Sequence, residues 1–337
     1  MRAPWIASGV AVLAAGLALG WSVQAPAQPP AAIVLEQPLA CRFGETCFIQ
    51  QYFDHDPGPG AKDYRCGARV YDGHDGVDLR VPTLAAAQRG VAVLAAAAGV
   101  VKGARDGVDE GFQSKVDPAL IKNRECGNGV VIAHPGGWET QYCHMAKGSI
   151  KVAVGQTVAV SATLGQVGLS GDTDFPHMHF SVRLGNVKVD PFAFTPQAAA
   201  CGQGKSLWSP AAAAALAYHD SDVLNAGFTS GPVTMEQVEA GDADQMRPAK
   251  TSAALVFYVR AIGLKAGDVQ TLTLKGPDGA AMATSRGAPL DHDKAQWLAF
   301  AGKKLTASAW PAGRYAGVYA VERAGKTALT KTMTVDL

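Results

Sequence analysis

Between residues 41 and 194 the chain alternates short apolar or β-branched runs with glycine-rich breaks. The runs GVAVLAAAAGVVKGA, NGVVIAHPGGWETQYCHM and HMHFSVRLGNVKVDPF have the β-branched and aromatic content of strands. Pro135-Gly136-Gly137 and Gly185-Asn186 are the turn signals within and between them. The stretch VIAHPGGWETQYCHM reads as one hairpin. The pattern predicts a compact antiparallel β core. The polar stretch 106–126 interrupts two strand-like runs and reads as an inserted loop, and loops of that length are often functional or mobile.

The pattern changes after residue 200. Residues 209–220 (SPAAAAALAYHD) predict a helix: Ser209 can cap it, Pro210 suits the first helical position, and alanines follow. The polar, turn-rich TSGPVTMEQVEAGDADQMRP then reads as a linker. From about Ser252 alternation returns in ALVFYVRAIGLKAGDVQTLTLKGPDG, QWLAFAGKKL and GRYAGVYAVERAGKTALTKTMTVDL. Short strands joined by Gly, Asp and Pro turns over roughly 85 residues predict an immunoglobulin-like β-sandwich. Only the architecture is implied, because the Cys–Trp–Cys signature is missing.

The N-terminus follows neither pattern. No formal charge follows Arg2 until Glu36, and residues 6–19 (IASGVAVLAAGLAL) are apolar. Ala25 and Ala27 then stand in an A-x-A arrangement. A short positive start, an apolar run and a small-residue cleavage site predict a secretory signal peptide over residues 1–27. The apolar run is short and Ala- and Gly-rich for a membrane anchor, and no Cys follows it to carry a lipid. With no other strong hydrophobic span, the expectation is an exported chain, periplasmic or extracellular, with no membrane association after cleavage.

Length and charge narrow the picture further. The 337 residues favour two folded domains. A net charge of +1 argues against nucleic acid as the main partner, which needs a clear excess of Lys and Arg. Export places the six Cys in an oxidising space, so disulfides are expected. None forms a C-x-x-C pair, which argues against redox and structural-zinc roles. The expected pairing joins Cys41 to Cys47, Cys66 to Cys126 and Cys143 to Cys201. All six lie at or before Cys201, so the C-terminal third folds without them.

Three short motifs carry candidate chemistry: His74-Asp75-Gly76-Val77-Asp78, Tyr142-Cys143-His144-Met145 and His177-Met178-His179-Phe180. On a strand, residues i and i+2 share a face, so His177 and His179 project together while Met178 and Phe180 face the core. Taken alone, the H-x-H fits a polar strand face and the H-x-x-x-D a solvated turn. Asp72 and Asp75 read as turn residues. In combination the motifs supply imidazole nitrogens and a carboxylate. Two His and one carboxylate suit zinc, with a position left open for water. Spare imidazoles nearby can then bind the water or relay its protons.

The order of these motifs resembles the lysostaphin/LytM-type zinc metalloendopeptidases. Residues 74–79 are similar to the family's H-x-G-x-D-hydrophobic, and residues 90–101 to its G-x-x-V-x-A…G-x-V strand pair. Residues 127–134 resemble its G-N-x-V-hydrophobic-hydrophobic-x-H, Gly155-Gln156-Thr157-Val158 its G-x-x-V turn, and Gly165-Gln166-Val167-Gly168 its G-x-x-G. Val189-Asp190-Pro191 resembles the closing V-D-P, so the likeness covers roughly residues 45–195. It implies a duplicated hybrid motif fold with a long groove, Zn2+ on His74, Asp78 and His179, and His144 and His177 as the catalytic, non-ligand pair. The implied substrate is the peptide portion of bacterial peptidoglycan, at stem-peptide cross-links or interpeptide bridges. Relatives lacking ligands act instead as activators of other wall hydrolases, so an exported wall-binding regulator is the alternative.

Some positions depart from the family. Asp172-Thr173-Asp174-Phe175-Pro176 stands where Ser-Thr-Gly-Pro is common, and Ser181 where Glu often follows His-Phe. These changes alter the groove wall and leave the ligands intact. Cys143 alternates away from His144 and reads as half of a disulfide. Tyr71 is a candidate oxyanion donor by analogy with relatives. His134 reads as structural, and His55, His219 and His292 as surface residues. The expected organisation is a metallopeptidase domain over 28–200 with an inserted loop at 106–126, a helical linker over 201–234, and the sandwich over 235–337. A regulatory or wall partner is expected for the sandwich.

Overall fold

The computed structural model describes residues 1, 32–195 and 200–337. Apart from Met1, the expected signal peptide lies outside the described residues, among which no helix is long and apolar enough to cross a membrane. Alternation in the first half yields ten strands and two short helices. The strands are β1 (Phe48–Gln51), β2 (Val77–Arg80), β3 (Ala92–Leu94), β4 (Gly99–Arg105), β5 (Asn128–Ala133), β6 (Trp138–Met145), β7 (Thr157–Val158), β8 (Thr163–Gln166), β9 (His177–Leu184) and β10 (Val187–Val189). The helices are α1 (Leu84–Gln88) and α2 (Pro118–Ile121).

Eight of the strands form one antiparallel sheet in the order β1-β2-β9-β6-β5-β4-β7, with β10 on β9. Strands β3 and β8 make a separate pair. The predicted hairpin is β5–β6, turned at Gly136 and Gly137 with φ of 76° and 79°. One sheet face is apolar. Val77, Leu79, Val130, Ile132, Tyr142, Met178, Phe180 and Val182 join Leu35, Trp138 and Trp208 in a continuous buried core. Burying each large apolar side chain contributes about 1.5–3 kcal/mol relative to leaving it in water.

The 106–126 stretch is tied down along its length. Gly111 N donates to Leu169 O at 3.0 Å, Gln113 N to Thr173 O at 2.9 Å, and Asp172 N to Glu125 O at 2.8 Å. It therefore braces the segment that leads into β9.

The disulfides correct two of the three expected pairings. Cys41 bonds Cys47 as expected, but Cys66 bonds Cys201 and Cys126 bonds Cys143. Hairpin register explains the last pair. Asn128 lies opposite Met145, which brings Cys126 and Cys143 to a Cα separation of 4.8 Å, within bonding reach.

The second half opens with α3 (Pro210–Ala215), whose Ser209 hydroxyl caps Ala212 N as the sequence predicts. The expected linker at 201–234 is not purely helical. It contains β11 (Asp222–Thr229), which pairs with β12 (Ala254–Leu264) and so belongs to the sandwich. Its sequence, DVLNAGFT, is only half-buried and shows weak alternation, which hid it. Helix α4 (Met235–Ala240) lies between β11 and β12 and starts with a complete capping box, Thr234 with Gln237. The remaining strands are β13 (Val269–Lys275), β14 (Ala281–Arg286), β15 (Lys294–Lys304), β16 (Arg314–Arg323) and β17 (Lys326–Asp336). They form a β11-β12-β15 sheet and a β14-β13-β16-β17 sheet. Leu255, Phe257, Leu272, Leu274, Tyr315 and Tyr319 fill the core of this sandwich.

A buried ionic network joins the two cores. Arg80 at the end of β2 donates to Glu239 of α4 at 2.7 Å, and Arg260 of β12 donates to the other oxygen of the same carboxylate. All three residues are buried. Gln50 of β1 donates to Ala295 O of β15 at 2.9 Å. Phe48 packs with Leu224 and Ile262 beside these contacts.

Candidate metal centre

Strands β2 and β9 are direct neighbours, and their register sets Asp78 opposite His179 and Arg80 opposite His177. Leu79, Met178 and Phe180 go to the core, so Asp78, His177 and His179 share the other face. His74 sits in the turn before β2, where its N donates to Tyr71 O at 3.1 Å.

His144 reaches the same place by breaking a rule. Tyr142 is in the core, so strict alternation along β6 would send His144 to the core side too. Its backbone has φ of 60°, at the irregularity where the β5–β6 register shifts between Asn128–Met145 and Val130–Tyr142, and alternation breaks there. A left-handed residue other than Gly costs about 1–2 kcal/mol. Three contacts hold it: His144 N donates to Cys126 O at 2.8 Å, Gly168 N donates to His144 O at 3.0 Å, and His144 Nδ1 donates to Ser170 O at 2.8 Å. The His144 ring then lies 4.6 Å from that of His177 and 6.1 Å from that of His179.

Three donor atoms converge. His74 Nε2 lies 3.2 Å from Asp78 Oδ1 and 3.2 Å from His179 Nδ1, and His179 Nδ1 lies 2.9 Å from Asp78 Oδ1. Tetrahedral ligands at about 2.0–2.1 Å from zinc must lie about 3.3 Å apart, close to this triangle. The protonation pattern agrees. His74 Nδ1 donates to Tyr52 O at 2.6 Å, so in the neutral ring Nε2 carries a lone pair into the triangle. His179 Nε2 contacts Ser181 Oγ at 3.0 Å and the Asp75 carboxylate at 3.4 Å, which orients its Nδ1 inward. The donor set fits a divalent cation.

The electrostatics point the same way. Burial opposes ionisation of Asp78, but His74, His177 and His179 outweigh it and hold its carboxyl well below the usual range. Burial also opposes charge on His179, yet the Asp75 and Asp78 carboxylates, which accept from its ring nitrogens, raise its pKa to about 9. Burial acts on Asp75 as well, but His179 and the paired Lys188 hold it well below the ordinary carboxylate value. The two carboxylates thus stabilise positive charge at the donor triangle. Burial first, and the His177 and His179 neighbours second, hold His144 well below the ordinary imidazole value. His177 is held through Nδ1, which donates to Phe175 O at 2.9 Å and lies 3.1 Å from Thr173 Oγ1.

All five residues singled out by sequence, His74, Asp78, His144, His177 and His179, therefore meet in one cleft. Tyr71 stands at its rim, over half exposed, with its ring 4.5 Å from that of His74. Burial and the carboxylates of Asp78, Asp75 and Asp172 push its phenol well above the ordinary value. His134 is structural as expected, donating through Nδ1 to Ala98 O at 2.8 Å and meeting Thr140 Oγ1 at 2.8 Å. His219 and His292 are exposed at the surface. His55 is a correction: its side chain is buried against Asp190 at 2.7 Å, because the chain folds β10 and its exit over it. Asp75, Ser181, Lys188 and the Tyr52 carbonyl were missed as site residues. The i+2 spacing of Ser181 from His179 was the one signal available for them.

A mainly antiparallel β core thus brings together His74 from the turn before β2, Asp78 from β2 and His179 from β9. Residues 72–191 match the model of peptidase family M23, and the chain carries a domain of that family. Among solved structures, a chain described as an M23 peptidase from Pseudomonas aeruginosa is 26% identical over 48% of this chain and 50% of its own, with a TM-score of 0.29. The chain thus spans about half the length of that relative. A variant of the catalytic domain of the prophage-encoded M23 protein EnpA from Enterococcus faecalis is 23% identical over 46% of this chain and 96% of its own, with a TM-score of 0.32. The catalytic domain of the antimicrobial peptidase lysostaphin from Staphylococcus simulans is 20% identical over 42% and 86%, with a TM-score of 0.28. No curated protein matches the chain significantly.

Proposed function

We propose that the protein is an exported zinc metalloendopeptidase that hydrolyses peptide bonds in bacterial peptidoglycan. The observation that carries this reading is the triangle of His74 Nε2, Asp78 Oδ1 and His179 Nδ1, flanked by two imidazoles that are not part of it. Zinc bound there would lower the pKa of a bound water towards 7 and polarise a peptide carbonyl. His144 and His177 are each anchored through Nδ1 to a backbone carbonyl, so each can present Nε2 to the cleft. A neutral Nε2 accepts a proton from the attacking water, and a protonated one donates to the tetrahedral oxyanion. Tyr71, whose ring lies 4.5 Å from that of His74, is the candidate for a second donor.

Three disulfides support export to an oxidising compartment, periplasmic or extracellular, after removal of residues 1–27. The peptidase domain is assigned to residues 28–200. The sandwich, starting at β11 rather than at residue 235, is assigned to wall recognition or to positioning the catalytic half. A mass-spectrometric digest of peptidoglycans of several cross-link types, by wild type and His179→Ala, tests the reading. New stem or bridge termini from wild type alone are expected. A zinc-loaded wild type that leaves every cross-link type intact would overturn it.

A further inference from the structure

One catalytic imidazole is gripped by a side chain that is itself held from the sandwich. Phe175 touches His177 twice: its carbonyl accepts from His177 Nδ1 at 2.9 Å, and its ring stacks on the imidazole with centroids 4.3 Å apart at 26°. The Arg80 guanidinium lies 4.6 Å from the centroid of the same Phe175 ring. A cation against an aromatic ring is attractive, and more so when desolvated. Arg80 is fully buried, so its own position is set by its partners. These are Gln50 Oε1 at 3.0 Å, Glu239 Oε1 at 2.7 Å and, more distantly, Val81 O at 3.4 Å. Glu239 belongs to α4 and also binds Arg260 of β12, whose guanidinium donates in turn to Asn225 Oδ1 at 2.7 Å and to Pro82 O. The contacts run unbroken from the sandwich to His177.

We infer that Phe175, Arg80 and Glu239 are positioning residues that fix the His177 imidazole, so that the sandwich sets the geometry of the catalytic cleft. The inference rests on the reading of His177 as catalytic. Two features favour it over simple interdomain glue. Arg80 lies opposite His177 in the β2–β9 register, so the guanidinium and the imidazole belong to one cross-strand pair. Glu239 is shared by two buried guanidinium groups, so its loss frees Arg80 to move or to draw in water.

The test uses the full zinc-loaded chain with Phe175→Leu, Phe175→Tyr and Glu239→Gln. Leu keeps apolar bulk and the backbone carbonyl but removes the π-face. Tyr restores the ring at a position that is half-buried rather than fully enclosed. A shift of an imidazole by a fraction of an ångström lowers kcat by about tenfold or more. Phe175→Leu and Glu239→Gln are expected to lose about that much in kcat with KM little changed and zinc retained, and Phe175→Tyr to recover most of it. The second readout is the NMR signal of the His177 ring protons, recorded with and without zinc. The Phe175 ring current shifts them upfield in wild type; Phe175→Leu is expected to abolish that shift and Glu239→Gln to reduce it. Unchanged His177 shifts in Glu239→Gln, or wild-type kcat in Phe175→Leu, would overturn the inference. A wild type without peptidase activity would defeat the proposed function, yet the ring-proton shifts would still report on the positioning.

Discussion

The His179 imidazole lies directly over Gly76: a Cβ added at Gly76 would come within 2.4 Å of His179 Nε2 and 2.7 Å of Phe180 O. The glycine between His74 and Asp78 is therefore a spatial requirement of the His179 ring on the neighbouring strand. Gly76→Ala is expected to push the His179 ring out of the triangle and weaken zinc binding by tenfold or more, in the range of lost support to a ligand. Overpacking the strand pair adds a stability loss of about 1–3 kcal/mol. Zinc competition against a chelator, with thermal unfolding in parallel, measures both. Wild-type zinc affinity in Gly76→Ala would show that the ring has room to spare.

The Cys126–Cys143 bond holds the carbonyl that fixes the left-handed backbone of His144. It closes a loop of 17 residues, for which chain entropy implies about 3 kcal/mol of stability. Replacing both Cys by Ser is expected to lower stability by about that amount and to reduce kcat through His144, leaving zinc content unchanged. Denaturant unfolding and metal analysis of the double variant check this. Full turnover in the variant would mean that Gly168 and Ser170 suffice to hold His144.

His134 offers a pH-dependent test away from the metal. Burial holds its pKa below the ordinary imidazole value of 6.5. The native state then binds fewer protons than the unfolded chain on the acid side of that value. The stability from neutral His134 is thus present above pH about 6.5 and lost as pH falls towards its depressed pKa. His134→Gln retains a donor for Ala98 O and an acceptor for Thr140, and does not titrate. Its stability should fall less steeply than that of wild type from pH about 6.5 downward. Urea unfolding at stepped pH values reads the two slopes, and equal slopes would contradict the assignment.

The sequence carried the site further than it carried the packing around it. His177 and His179 were legible together because period-two alternation puts them on one face of β9, while His74 and Asp78 were legible only through their H-x-x-x-D motif and its resemblance to the family's. His144 was found by its motif, while its orientation depends on a positive φ that nothing in Tyr142-Cys143-His144 signals. Cys126–Cys143 follows from hairpin register, and Cys66–Cys201 from contacts across 135 residues, neither visible in Cys spacing. Strand β11 was lost because a half-buried edge needs little alternation. The Arg80–Glu239 contact, separated by 159 residues, is a property of how the two cores meet. Burial of His55 against Asp190 is a contact across 135 residues within the first half, equally absent from local spacing.

Metal stoichiometry tests the triangle most directly. The full chain, stripped with chelator, saturated with zinc and desalted, should hold one zinc per molecule, and His179→Ala and Asp78→Asn should lose it while remaining folded. A wild type that retains no zinc, or a folded His179→Ala that retains all of it, would contradict the assignment of His74, Asp78 and His179 as the ligands.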